Sequence, residues 1–175
     1  MRLLLFLILL LYQDLFAQTT ASVGVSISLP SIALMDVEPN NSGFSLNLTA
    51  PTEAGNPLTT TATNNSKWLN FTSAVATGTT RRIAAQLSGT LPNGINLKLV
   101  TANFAGSGAG TLGSAVSPIY LRSTQQTIIN NIGGAYTGNG TGNGYNLTYS
   151  LEIANYSLLR NQTANVTIIY TLIDN

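Results

Sequence analysis

The chain reads as all-β, an immunoglobulin-like antiparallel β-sandwich preceded by a cleaved helical signal peptide. Three observations carry that expectation. Thr, Ser and Asn supply the polar surface, whereas charged residues make up only 7% of the chain and the good helix formers Lys, Glu, Gln and Arg are scarce. Apolar residues recur at every second position, the period of a strand with one buried face. Turn-forming stretches such as PNNSG (39–43), LPNG (91–94) and TGNGTGNG (137–144) separate these segments. Short strands at this spacing, with no helical pattern between them, favour a sandwich over a closed barrel.

The leader comes first. Arg2 is a minimal positive region, residues 3–12 (LLLFLILLLY) are apolar, and Leu15, Phe16 and Ala17 form a small-residue cleavage site, placing the cut after Ala17. An apolar run of about ten residues is roughly half of what spans a bilayer, so no retained membrane anchor is expected. Residues 18–175 then form one domain, long enough to bury a core without staples. The absence of Cys excludes a lipid-modified cysteine, disulfides and thiolate metal sites.

Past the leader, Val23, Val25, Ile27 and Leu29 alternate with Gly24, Ser26 and Ser28 until Pro30 interrupts the ladder. The plainer reading makes this the first strand of the chain's own sandwich. Similar alternation marks Phe44, Leu46 and Leu48; Ile83, Ala85 and Leu87; Ile95, Leu97 and Leu99; and Leu147, Tyr149, Leu151 and Ile153. Residues 103–117 and 133–144 are dominated by Gly, Ser and Thr and read as loose loops, the second a flexible hairpin connection. Neither cradles phosphate or calcium: GTGNG (140–144) lacks the Lys-Ser/Thr of a P-loop and holds no carboxylate. The last strand carries Val166, Ile168, Tyr170 and Leu172 on one face and Ile169 and Ile173 on the other. Apolar groups on both sides predict a strand inside a sheet, closing the sandwich.

The inventory argues against catalysis. With neither His nor Cys, the common neutral-pH base and the thiolate nucleophile are missing. Asp36 and Glu38 stand at i and i+2, so on a strand both point to one face, without the cleft-spanning separation that glycoside hydrolysis wants. They are expected at a solvated strand end, and Glu152 is expected to face water. No catalytic residue, metal site or cofactor is expected, and a hydrolase is a distant third reading. A net charge of +1 offers no polybasic patch, so nucleic acid is not an expected partner.

The single Trp leaves two readings open. In SKWLNFTSAV (66–75), Leu69, Phe71, Ser73 and Val75 share one face, and Trp68, Asn70, Thr72 and Ala74 the other. A bulge turning Trp68 into the core is the bland alternative. The sharper one exposes Trp68 as a platform for a sugar ring, extended by Tyr136 and Tyr145, which defines a carbohydrate-binding module. Sequons occur at Asn47, Asn70, Asn146 and Asn165, as expected by chance in so Asn-, Ser- and Thr-rich a chain.

The order of leader, alternating N-terminal strand, Asn/Thr-rich sandwich and terminal NVTIIYTLI (165–173) resembles secreted bacterial surface subunits, pilin-like proteins of the spore-coat-U and fimbrial type. WLNFTS (68–73), YTGNGTGNGYNLTYSLEI (136–153) and the last strand are also similar to uncharacterised exported proteins of Gram-negative bacteria. The pilin resemblance implies export to the periplasm, the cell surface or the extracellular space. It also implies assembly by strand exchange with other copies or other surface subunits, residues 19–29 being the donor and Val23, Val25, Ile27 and Leu29 its inserted knobs. Two departures stand out: the disulfide usual in several such subunits is absent, and the last Tyr is Tyr170, not a residue beside the C-terminus. The expected role is therefore a non-catalytic structural or adhesive one. The alternative is glycan binding through Trp68 and the loop tyrosines.

Overall fold

The computed structural model describes residues 19–60 and 63–175, so the expected leader at residues 1–17 lies outside the described residues. Eleven strands follow in chain order: β1 Ile32–Glu38, β2 Thr63–Ala74, β3 Arg81–Ser88, β4 Ile95–Thr101, β5 Ala109–Gly110, β6 Ser114–Ala115, β7 Ile119–Tyr120, β8 Gln126–Ile132, β9 Ala135–Tyr136, β10 Tyr145–Ile153 and β11 Thr167–Asp174. Among the described residues the only helical element is a single 3₁₀ turn, Tyr156–Leu158, and no helix is long and apolar enough to cross a membrane.

The strands form two antiparallel sheets, as in a β-sandwich. In the larger, β2 is the spine: β1 pairs along one edge, and β9 and β10 share the other. The register shows this directly, with Leu34 and Tyr136 both opposite Thr72, and Val37 and Tyr145 both opposite Leu69. β4 and β5 add beyond β10 and β9, and β7 pairs with β4. The smaller sheet runs β11-β3-β8-β6. Residues 109–115 and 129–136 form a ribbon that passes from one sheet to the other. Its ladder continues through the crossing, where Thr111 N–H donates to the Gly134 carbonyl at 3.0 Å and Gly133 N–H to the Thr111 carbonyl at 2.9 Å.

Alternation predicts the inward side chains where two sheets face each other. Leu69 and Phe71 of β2, Ile83 and Ala85 of β3, Leu99 of β4 and Leu147 of β10 are buried in one shared core. Fully burying a large aliphatic side chain contributes about 1.5–3 kcal/mol. Two cations sit at the rim of that core. Lys67 has inward parity on β2 and is 6% exposed, and its ammonium donates to the Asn40 carbonyl at 2.8 Å and to Asn40 Oδ1 at 3.1 Å. Arg81 is buried at the start of β3, where its guanidinium pairs with Asp174 and donates to the Ile32 carbonyl, Ser31 Oγ and Ser73 Oγ. It therefore ties the beginning of β1 to the end of β11.

The structure corrects several expectations. Residues 19–30 belong to no strand and are exposed throughout, so they are not the first strand of the chain's own sandwich. That place is taken by β1, which already occupies the free edge of β2. Phe44, Leu46 and Leu48 are half-buried without a ladder of their own, and Phe44 and Leu46 pack against the core, the Phe44 ring lying 4.7 Å from that of Tyr149. Among the described residues the terminal strand β11 is an edge, paired only with β3. Its inward Ile168, Tyr170 and Leu172 are half-buried and Ile169 is 39% exposed, because a two-layer fold has a core on one face of each sheet only. The bulge that would have turned Trp68 inward is also absent: β1 and β2 stay in unbroken register from Ile32↔Ala74 to Glu38↔Trp68.

Candidate functional site: the outer face of the larger sheet

Strand parity builds this face. Since Leu69 and Phe71 point into the core, Trp68, Asn70 and Thr72 point away from it. Their cross-strand neighbours share that side, so β1 contributes Leu34 opposite Thr72, Asp36 opposite Asn70 and Glu38 opposite Trp68. On the other edge of β2, Tyr136 lies opposite Thr72 and Asn146 opposite Trp68. A trough of about 390 Å³ runs across the face. Leu34 and Asp36 form one wall, Asn70 and Thr72 the floor, and Tyr136 and Asn139 the opposite wall.

The second wall depends on residues 137–144, the excursion that separates β9 from β10. It is pinned, not loose. Phe71 N–H donates to Thr137 Oγ1 at 2.9 Å, and Asn70 Nδ2 donates to the Asn143 carbonyl at 2.6 Å. Asn143 in turn donates through Nδ2 to the Asn139 carbonyl at 2.8 Å and accepts at Oδ1 from Ser107 N–H at 3.1 Å. Gly144 ends the excursion at φ +83, where an added Cβ would strike the Leu69 carbonyl oxygen, so both the turn and the close approach require glycine. The stretch is thus no hairpin, because β9 and β10 run in the same direction along β2.

The residues singled out from the sequence are distributed as follows. Trp68 is half-buried on the outer face. Tyr136 lies on the same face, 51% exposed, four residues further along β2, or about 14 Å at the rise of an antiparallel strand. Tyr145 is a correction: it is fully buried, its ring stacks with Phe71 and meets Phe104 edge-on, and its hydroxyl donates to the Leu112 carbonyl at 2.9 Å, so it cannot belong to a surface platform. Burial pushes its phenol up to about 12. Asp36 is exposed on the edge strand, with Oδ1 accepting from Val37 N–H at 2.7 Å, and Glu38 follows on the same face. Glu152 is exposed and accepts from the Tyr120 hydroxyl at 2.7 Å. Of the sequons, Asn47 and Asn165 are exposed, whereas Asn70 is buried with its amide committed to the excursion.

Val23, Val25, Ile27 and Leu29 lie elsewhere, on the N-terminal arm outside the strands, 87%, 76%, 81% and 87% exposed. Among the described residues no cluster of three or more His, Cys, Asp or Glu converges as a metal site would require. The comparisons with family models, curated proteins and solved structures return no match for this chain.

One residue lining the trough was not singled out as a candidate from the sequence. Asn70 is 5% exposed and lines the trough, yet its Oδ1 has no hydrogen-bond partner among the described residues. Nothing in a local sequence distinguishes such an amide from its many exposed counterparts. Its state depends on where residues 137–144 return.

Proposed function

We propose that the chain is an exported, non-catalytic structural subunit of immunoglobulin-like sandwich type, which assembles at the cell surface by laying residues 19–29 on a strand edge of a second copy. One observation carries this reading. The arm belongs to no strand, and its four apolar side chains on alternate positions stand almost wholly in water. Burying four such side chains offers on the order of 6–12 kcal/mol before the costs of association, and pairing the backbone adds the register. Pro30 lacks the N–H that would continue a ladder and so separates the arm from β1. Among the described residues, β1 and β11 each keep one unpaired edge.

Gel filtration over a range of concentrations, on the chain freed of residues 1–17, tests the proposal. Self-association is expected, together with a folded monomer once residues 19–29 are removed or Val25 and Ile27 are both changed to Asp. An intact chain that stays monomeric at high micromolar concentration, or a shortened one that still assembles, removes the reading.

A further inference from the structure

We infer that the edge which receives the arm is that of β11, and that the arm of a second copy pairs with it antiparallel; this rests on the assembly reading above and names its partner surface. Among the described residues the sheet margins are β1, β5 and β7 in the larger sheet and β6 and β11 in the smaller, and only β1 and β11 exceed two residues. These two are guarded differently. β1 turns Asp36 and Glu38 to its outer face, and its Val37 N–H is already taken by Asp36 Oδ1 at 2.7 Å. Charge on an edge strand deters further pairing. β11 carries no charge and no Pro from Thr167 to Ile173, and no bulge breaks its register with β3.

The backbone of β11 is also aimed outward at the right places. Asn175 N–H donates to the Thr80 carbonyl at 2.9 Å, and successive residues of a strand point their N–H and C=O groups to opposite sides. Those of Ile168, Tyr170 and Leu172 therefore point away from β3, to a side where no strand of the described residues pairs with them. The same three side chains turn inward and are only half-buried at the margin of the core.

The arm supplies what this margin lacks. Val23, Val25, Ile27 and Leu29 continue the apolar layer beside Ile168, Tyr170 and Leu172, while Gly24, Ser26 and Ser28 face water alongside Thr167 and Thr171. Residues 19–29 are long enough to span the eight residues of β11. The donor is a second copy for a geometric reason. Arg81 holds Ser31 and Ile32 beside Asp174, so an arm folding back on its own β11 would run parallel to it. Every strand pair among the described residues is antiparallel, the slightly more stable arrangement, and a separate copy enters in that direction without constraint.

Because the chain has no Cys, introduced thiols report the contact directly. Copies freed of residues 1–17 and carrying Ser26→Cys are mixed, under mild oxidation, with copies carrying Ile169→Cys, Thr171→Cys or, on β1, Leu34→Cys. Peptide mapping of the covalent dimers should find the mixed disulfide with the two β11 variants and not with Leu34→Cys. Ile168→Pro removes one donor from the unpaired side of β11 while sparing the ladder to β3, and should weaken self-association about tenfold in gel filtration. Circular dichroism checks that this variant is folded, and the disulfides decide the matter if it is not. A mixed disulfide with Leu34→Cys alone moves the arm to β1 and overturns the inference, while the assembly reading stands. A disulfide that forms only within one copy, in a chain carrying both Ser26→Cys and Thr171→Cys, overturns the choice of a second copy. Association undiminished in a folded Ile168→Pro also overturns the β11 edge, and a chain that never self-associates removes both readings.

Discussion

The arm at residues 19–30 and the terminal strand β11 are written in the same alternating pattern and end in opposite conditions. Every large side chain of the arm stands in water, whereas β11 keeps an unbroken register with β3 from Thr167↔Ser88 to Asp174↔Arg81 and rests one face on the core. The side of β2 that the arm would match is occupied by β1, whereas β3 receives β11; the arm joins no strand of its own chain, although β1 and β11 each keep an open side among the described residues. Period-two patterning thus specifies a strand without specifying whose sheet it joins.

That contrast can be broken from the docked side first. Ile83→Ala removes a fully buried side chain from the strand that holds β11 and should lower stability by about 3 kcal/mol, measured as a drop in the urea midpoint. Arg81→Met deletes the clamp joining Ser31, Ile32 and Asp174, and should cost about 2 kcal/mol while increasing hydrogen exchange at both ends of the clamp. Tyr149→Phe removes the hydroxyl pair with Tyr170 and should cost about 1 kcal/mol.

The same tyrosines give β11 a dependence on pH that the arm lacks. Burial pushes Tyr145 and Tyr149 up to about 12, and burial beside Tyr149 pushes Tyr170 well above 10. A raised phenol binds its proton more tightly in the folded chain, so this stability is fully present below pH 10 and is lost as the pH climbs toward 12. Urea midpoints should therefore be flat below pH 10 and fall above it, less steeply in Tyr149→Phe. The smallest effect belongs to the arm: Ile27→Ser should leave the stability of the monomer within about 0.5 kcal/mol of the parent, because the side chain is 81% exposed.

Much of this architecture was legible residue by residue. The inward side chains of β3, β4 and β10 follow the alternation directly, as do Leu69 and Phe71 of β2, whereas the side to which Trp68 turns is decided only by the unbroken β1–β2 register. What sequence patterning missed depends on partners distant along the chain. Ile169 and Ile173 made β11 look doubly buried, although burial is decided by what lies across each face. Tyr145 looked like a loop tyrosine because its neighbours are glycines, but Gly144 delivers it straight into β10 and so into the core. The trough was half visible: Tyr136 reads as a loop tyrosine and Trp68 turns outward only if no bulge intervenes, and only the pinned excursion brings Tyr136 to the same trough as the buried Asn70.

The ribbon of residues 109–115 and 129–136 has a mechanical meaning. Because one continuous ladder is stitched through both layers, neither can peel away as a leaf without tearing hydrogen bonds in the other. Heat or force should therefore find a single unit that gives way all at once.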